Sequence, residues 1–123
     1  VLSLLHEIFE FSELGNDVYN PLKTFSSGMR ARLGFAVSII MRTDILLIDE
    51  VLGVGDIKFR VKAEKTLVER IKSDQTVVLV SHSGAQIKKL CDRAIWLESG
   101  GIKLAGLAHD VVGEYETALR NES

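Results

Sequence analysis

Ile45-Leu46-Leu47-Ile48-Asp49-Glu50 and Thr76-Val77-Val78-Leu79-Val80-Ser81-His82 decide the fold. Each is a run of consecutive apolar residues, rich in β-branched side chains, that ends abruptly in polar ones. Such a run predicts a strand buried on both faces, the habit of parallel sheets. Between them, Ile57 to Ser73 sets Phe59, Val61, Leu67, Val68 and Ile71 among charged residues at helical spacing. Strand, helix, strand is a βαβ unit, and its right-handed crossover brings the carboxyl ends of both strands to one edge of the sheet. Neighbouring strands lie about 4.8 Å apart. Asp49, Glu50, Ser81 and His82 are therefore expected together at the edge where open α/β sheets bind ligands.

Two acids, a hydroxyl and an imidazole at such an edge suit a hydrated divalent metal and a phosphate. One carboxylate holds Mg²⁺ directly or through water. The second orients an attacking water and takes its proton, and the imidazole donates to a phosphate oxygen. Each side chain also has a plain structural reading: an acid after a strand faces solvent, and a lone histidine satisfies its neighbours. The spacing by one βαβ unit is what favours the chemical reading.

Working outward, Leu2 to Leu14 has apolar residues at helical spacing and is ended by Gly15-Asn16. Asn20-Pro21 marks a turn. A second helix is predicted from Ser27 to Met41, with Ser26 or Ser27 as its N-cap. Small residues at Ser26-Ser27-Gly28 leave backbone N–H groups uncovered at a helix start, where the helix dipole favours an anion; an ordinary cap is the plainer reading. After the second strand come a short helix (Ser83 to Cys91), a hairpin (Ala94 to Glu98 and Ile102 to Ala105 around Ser99-Gly100-Gly101) and a closing helix (Asp110 to Arg120). The change of character at Thr43-Asp44 suggests a boundary between an all-helical part, residues 1–43, and an α/β part, residues 44–123.

Composition excludes several classes. Of 123 residues, 46% are apolar and 26% charged, the balance of a globular chain rather than a disordered one. The net charge of −2 gives no basic excess for wrapping nucleic acid. Cys91 is the single cysteine, so no internal disulfide forms, and a reducing compartment fits. No apolar run reaches the roughly 20 residues of a membrane span. His6 and His109 have no companion at metal spacing. Cys91 and Trp96 read as packing residues, and the charges from Lys58 to Arg70 as a solvated helix face. The chain starts at Val1, which fits a piece of a longer protein.

Phe25-Ser26-Ser27-Gly28-Met29-Arg30-Ala31-Arg32-Leu33 resembles the signature motif of ABC-type ATPases, in the form found in exporters of polysaccharides such as O-antigen, capsule and teichoic acid. Ile45 to Glu50 is similar to a Walker B strand, Gly53-Val54-Gly55-Asp56 to a D-loop, and Ser81-His82 to the switch histidine. Four motifs stand in family order, and the resemblance covers nearly the whole chain. It implies a partial P-loop NTPase-like α/β domain with a mainly parallel sheet flanked by helices, part of the helical subdomain at residues 1–43, the core at 44–123 and a C-terminal β-hairpin.

The resemblance further implies that Asp49 coordinates Mg²⁺ through water, that Glu50 is the general base and that His82 contacts the γ-phosphate. Asp56 would support the dimer interface. Ser26, Ser27 and Gly28 would close over ATP held by a second subunit, so the partners are a homodimer mate and a membrane-spanning permease, not nucleic acid. The implied location is peripheral, on the cytoplasmic face of the inner or plasma membrane. Phe9, Phe11 and Tyr19 face either the permease or the core. The sequence departs from the commonest family pattern at Ser27 (glycine), Met29 (glutamine), Val51 (proline) and the Gly53-Val54-Gly55 triplet.

No Gly-x-x-x-x-Gly-Lys-Ser/Thr occurs, so the loop that cradles phosphates is missing. The chain by itself is therefore expected to be inactive, and the lost strands are expected to leave apolar sheet surface uncovered. Two other readings compete: a soluble ABC-type ATPase of DNA repair or translation, and a truncated module that only binds a partner.

Overall fold

The computed structural model describes residues 2–49 and 55–123. Among these, the elements run α1 (Leu2–Ser12), two single-turn 3₁₀ segments (Gly15–Tyr19 and Leu22–Thr24), α2 (Ser27–Ile40), β1 (Ile45–Asp49), α3 (Ile57–Lys72), β2 (Thr76–Val80), α4 (Gly84–Leu90), β3 (Arg93–Glu98), β4 (Gly101–Leu107) and α5 (Ala108–Glu122). Every helix and strand expected from the sequence is present within two residues of its expected ends. The residues fall into two compact units, 1–78 and 79–123, with the division inside β2.

In the first unit, α1 reverses at Glu13 and Gly15, which hold φ of +57° and +59°. Its apolar face meets α2 and α3 in a trio of phenyl rings. Phe11 stacks on Phe35 at 6.0 Å, and Phe59 stands edge-on to both, at 5.9 and 6.2 Å. Such pairs contribute about 0.5–1.5 kcal/mol each beyond area burial. Phe59, Ile39, Leu67 and Ala36 around them are fully buried.

Neither α1 nor α2 has a basic residue in its last turn to answer the negative end of its dipole. Helix α3 supplies both. Lys62 Nζ donates to the Phe11 carbonyl at 2.6 Å and sits 3.3 Å from Glu13. Arg70 Nη2 donates to the Ile39 carbonyl, also at 2.6 Å. Lys62 in addition lies over the Phe11 ring, 4.4 Å from its centroid. The charges of α3 are therefore not only a solvated face: two of them tie three helices together, a correction to the sequence reading.

Strands β1 and β2 are neighbours in one sheet. Thr76, the first residue of β2, donates its N–H to the carbonyl of Asp44, just before β1. The strands thus start side by side and run parallel, as the βαβ reading requires. Burial, however, is on one face only. Leu46 and Ile48 are 4% exposed, whereas Ile45 is 57% and Leu47 71% exposed; in β2, Val78 and Val80 are exposed while Val77 and Leu79 are half-buried. The expectation of strands buried on both faces is overturned for the described residues. The expectation of uncovered apolar sheet surface is met on this same face. A continuous apolar run gives no clue to which of its two faces the rest of the chain will cover.

The second unit is a hairpin with helices. β3 and β4 pair antiparallel from Arg93–Leu107 to Glu98–Gly101. Ser99 and Gly100 turn the corner with φ of +51° and +80°, the type I′ geometry that matches strand twist. Trp96 faces Leu104 but Leu97 faces Ile102, which leaves Lys103 as a bulge. Its ammonium covers the Trp96 ring at 4.3 Å and pairs with Glu98 at 3.0 Å. The Trp96 ring stands nearly perpendicular to that of Tyr115 of α5, with centroids 5.3 Å apart. Helix α4 lies against α5 so closely that a Cβ on Gly84 would stand 2.7 Å from Val112 Cγ1. Lys88 and Glu116 pair at 3.1 Å beside this contact.

Phe59 is the ring shared by both edge-on contacts of the first unit. Phe59→Ala is expected to destabilise that unit by about 3–5 kcal/mol, read as a lower urea midpoint with an unchanged m-value. A shift below about 1 kcal/mol would be that of a surface position.

Candidate functional site

The site residues of the first unit stand at the ends of its elements. At the start of α2, the Ser26 hydroxyl accepts from the Met29 N–H at 3.2 Å, and the Ser26 carbonyl accepts from the Arg30 N–H. Of the two N-caps expected, Ser26 is the one used. The capping leaves the N–H groups of Ser27 and Gly28 as first-turn donors that the helix cannot satisfy itself. Ser26 and Ser27 are exposed. Over Gly28 the way is open: an added Cβ would meet nothing nearer than the Ser26 hydroxyl at 4.0 Å. Backbone donors, two hydroxyls and open space at the positive end of a 14-residue helix fit an anionic oxygen.

Asp49 closes β1 with an exposed carboxylate. An accessible carboxylate at a strand end suits a magnesium ion that keeps most of its water. Glu50, which follows it, lies outside the described residues, as do Gly53 and Val54 of the D-loop motif.

Asp56 is exposed and serves as the N-cap of α3, accepting the Phe59 N–H on Oδ1 at 2.8 Å. The residue before it, Gly55, has φ of +86°, and a Cβ there would press on the Phe59 ring at 3.1 Å. Glycine is needed at Gly55 on both counts. Gly55, next to Asp56, is thereby seated against Phe59 of the aromatic trio.

His82 is exposed and belongs to the second unit, between β2 and α4. Its two neighbours are both engaged. The Ser81 hydroxyl donates to Gln86 Oε1 at 2.7 Å and accepts the Ser83 N–H at 3.0 Å. Ser83 caps α4 by accepting the Gln86 N–H at 3.3 Å. The structure therefore holds Asp49 with Ser26–Gly28 in one unit and His82 in the other.

The role of Gln86 escapes the sequence reading, because a polar residue on a short helix carries no periodic signal. Of the three aromatic residues assigned either to a permease or to the core, Phe11 joins the core trio. Phe9 and Tyr19 line an open groove of about 440 Å³ together with Glu10, Glu13 and Val18. Cys91 is half-buried. Burial, with Asp92 beside it, pushes its thiol above the ordinary cysteine value. No helix among the described residues is long and apolar enough to cross a membrane.

No family model matches the chain. Whole-chain comparison finds clear relatives. The teichoic acids export ATP-binding protein TagH of Staphylococcus saprophyticus is 43% identical over 121 residues, which are 98% of this chain and 46% of that protein. TagH of Lactococcus lactis is 45% identical over 116 residues, 94% of this chain and 25% of its own length. The O-antigen export system ATP-binding protein RfbB of Klebsiella pneumoniae is 42% identical over 115 residues, 94% of this chain and 47% of that protein. The chain thus spans about half the length, or less, of the curated relatives it matches. Among solved structures, a dimeric ATP-binding cassette in a post-hydrolysis state with ADP and Pi superposes with a TM-score of 0.70. It is 23% identical, and the match covers 86% of this chain and 46% of that one. At that identity the likeness speaks for the α/β fold expected from the sequence. Along nearly its whole length, the chain is similar to part of the ATP-binding proteins of teichoic acid and O-antigen export.

The raised Cys91 pKa sets an expected reactivity. At pH 8 its thiolate fraction is below that of a free cysteine, so iodoacetamide should modify the folded chain more slowly than the urea-unfolded one. The folded rate should still be rising above pH 9. Equal rates in both states would mean that the thiol is neither shielded nor perturbed.

Proposed function

We propose that the chain is the catalytic C-terminal portion of an ABC-type ATP-binding subunit of a bacterial polysaccharide exporter. The complete subunit hydrolyses Mg-ATP to ADP and phosphate as a homodimer, peripheral to the cytoplasmic face of the membrane, and drives a separate permease. The observation that carries this reading is identity above 40% along nearly the full chain, together with accessible element ends at each described motif.

In this reading, residues 1–43 belong to the helical subdomain and 44–123 to the α/β core. The edge formed by the ends of β1 and β2 gathers Asp49, Glu50 and His82 around one nucleotide. Asp49 would hold a magnesium ion through water, and the ion when bound would neutralise charge on the transferred phosphate. Glu50 orients a water for in-line attack and takes its proton. His82 donates to the γ-phosphate and loses that partner on hydrolysis. The hydroxyls of Ser26 and Ser27 and the open N–H groups at Ser27 and Gly28 meet the γ-phosphate bound to the other subunit. Asp56, held as a helix cap, stands near the partner's site. The groove by Phe9 and Tyr19 faces the permease.

The chain on its own has no lysine loop to cradle β- and γ-phosphates. Phosphoryl transfer depends almost wholly on positioning and charge neutralisation, so the 123-residue chain is inactive by itself. Calorimetry with Mg-ATP is expected to give no micromolar binding to this chain. Micromolar binding by a clean monomer would contradict this account of the missing loop.

Roles are tested in the full-length subunit. Glu50→Gln is expected to lower turnover by about 100-fold or more while leaving ATP binding intact. His82→Ala should fall similarly. A near-normal rate in either variant removes that residue from its role.

A further inference from the structure

His82 is exposed, and its backbone lies between two serines that are both hydrogen-bonded. The residues on either side of it share one hydrogen-bonded ring. Ser81 Oγ donates to Gln86 Oε1 at 2.7 Å, the Ser83 N–H donates to Ser81 Oγ at 3.0 Å, and the Gln86 N–H donates to Ser83 Oγ at 3.3 Å. The ring is closed by the side chain of Gln86, which sits within α4. That helix is itself pressed onto α5 at Gly84 and bridged to it by Lys88 and Glu116. A mechanical path thus runs from the α4–α5 contact through one glutamine to the residues flanking His82.

We infer that Gln86 is the positioning residue of the switch histidine: its side-chain carbonyl holds the Ser81 hydroxyl and so fixes the backbone that aims His82 at the γ-phosphate. The inference rests on the reading of His82 given above. Gln86 touches no reacting atom in this scheme. Its loss lets the loop drift, and a small misplacement of a catalytic group lowers the chemical step more than binding. Nucleotide affinity comes mainly from other parts of the subunit, so KM for ATP should not follow.

The test uses the full-length subunit and steady-state ATP hydrolysis. Gln86→Leu keeps size and helix propensity but has no acceptor, and its kcat is expected to fall about tenfold with KM for ATP unchanged. Gln86→Glu keeps an acceptor for the Ser81 hydroxyl and is expected to stay near the wild-type rate. Ser81→Ala removes the same bond from the other side and should match Gln86→Leu, so it carries the test if the leucine variant does not fold.

A kcat near wild type in Gln86→Leu overturns the inference, and so does a fall that Gln86→Glu shares or one accompanied by an equal change in KM. His82→Ala, run alongside, separates the two levels. If it is as active as wild type, the reading of His82 fails. If it is slow while Gln86→Leu is normal, only the role of Gln86 fails.

Discussion

Three phenyl rings, Phe11, Phe35 and Phe59, meet at about 6 Å and join the three helices of the first unit. Phe35 lies on the helix that starts at Ser27. Phe59 lies on the helix capped by Asp56 and receives the close approach of Gly55. The rings alone would permit sliding, because burial is non-directional. Direction comes from Lys62 and Arg70, which reach from α3 to the last carbonyls of α1 and α2. Charge-assisted hydrogen bonds of this kind are stronger than neutral ones and fix geometry as well as energy. The helix dipoles, the aromatic contacts and the two long cations thus act on the same three helices.

The second unit solves a similar problem with different means. Trp96 meets the Tyr115 ring nearly at right angles and the Lys103 ammonium over its face, which seats the hairpin on α5. The absence of a side chain at Gly84 lets α4 lie on the same helix. What emerges at the end of α4 is an ordered turn bearing an exposed imidazole. In both units the scaffold is built of apolar and cation–ring contacts, while the described residues assigned to chemistry stand at the ends of elements.

Much of this was legible in the residues. The two apolar runs, the cap at Ser26 or Ser27 and the Ser99-Gly100 corner all depend on local rules of spacing, capping and φ, which act over a few residues. The motif order carried the family likeness for the same reason. What stayed hidden depends on contacts distant in sequence. Lys62 and Arg70 look like any charges on an amphipathic helix until the ends of α1 and α2 are beside them. The exposure of Ile45 and Leu47 cannot be read from a run that is apolar at every position. The bond between Ser81 and Gln86 is short in sequence, yet it needs the turn between them to exist before the two side chains can meet.

The central claim is that the ends of β1 and β2 serve one nucleotide. The most direct measurement is a crystal structure of the full-length subunit with ATP and manganese in place of magnesium, locating the metal by its anomalous signal. The account requires the manganese peak beside Asp49, the His82 imidazole on the γ-phosphate of the same nucleotide, and Ser27 and Gly28 of the second subunit on its far side. A peak remote from Asp49, or a His82 ring directed away from that phosphate, would contradict it.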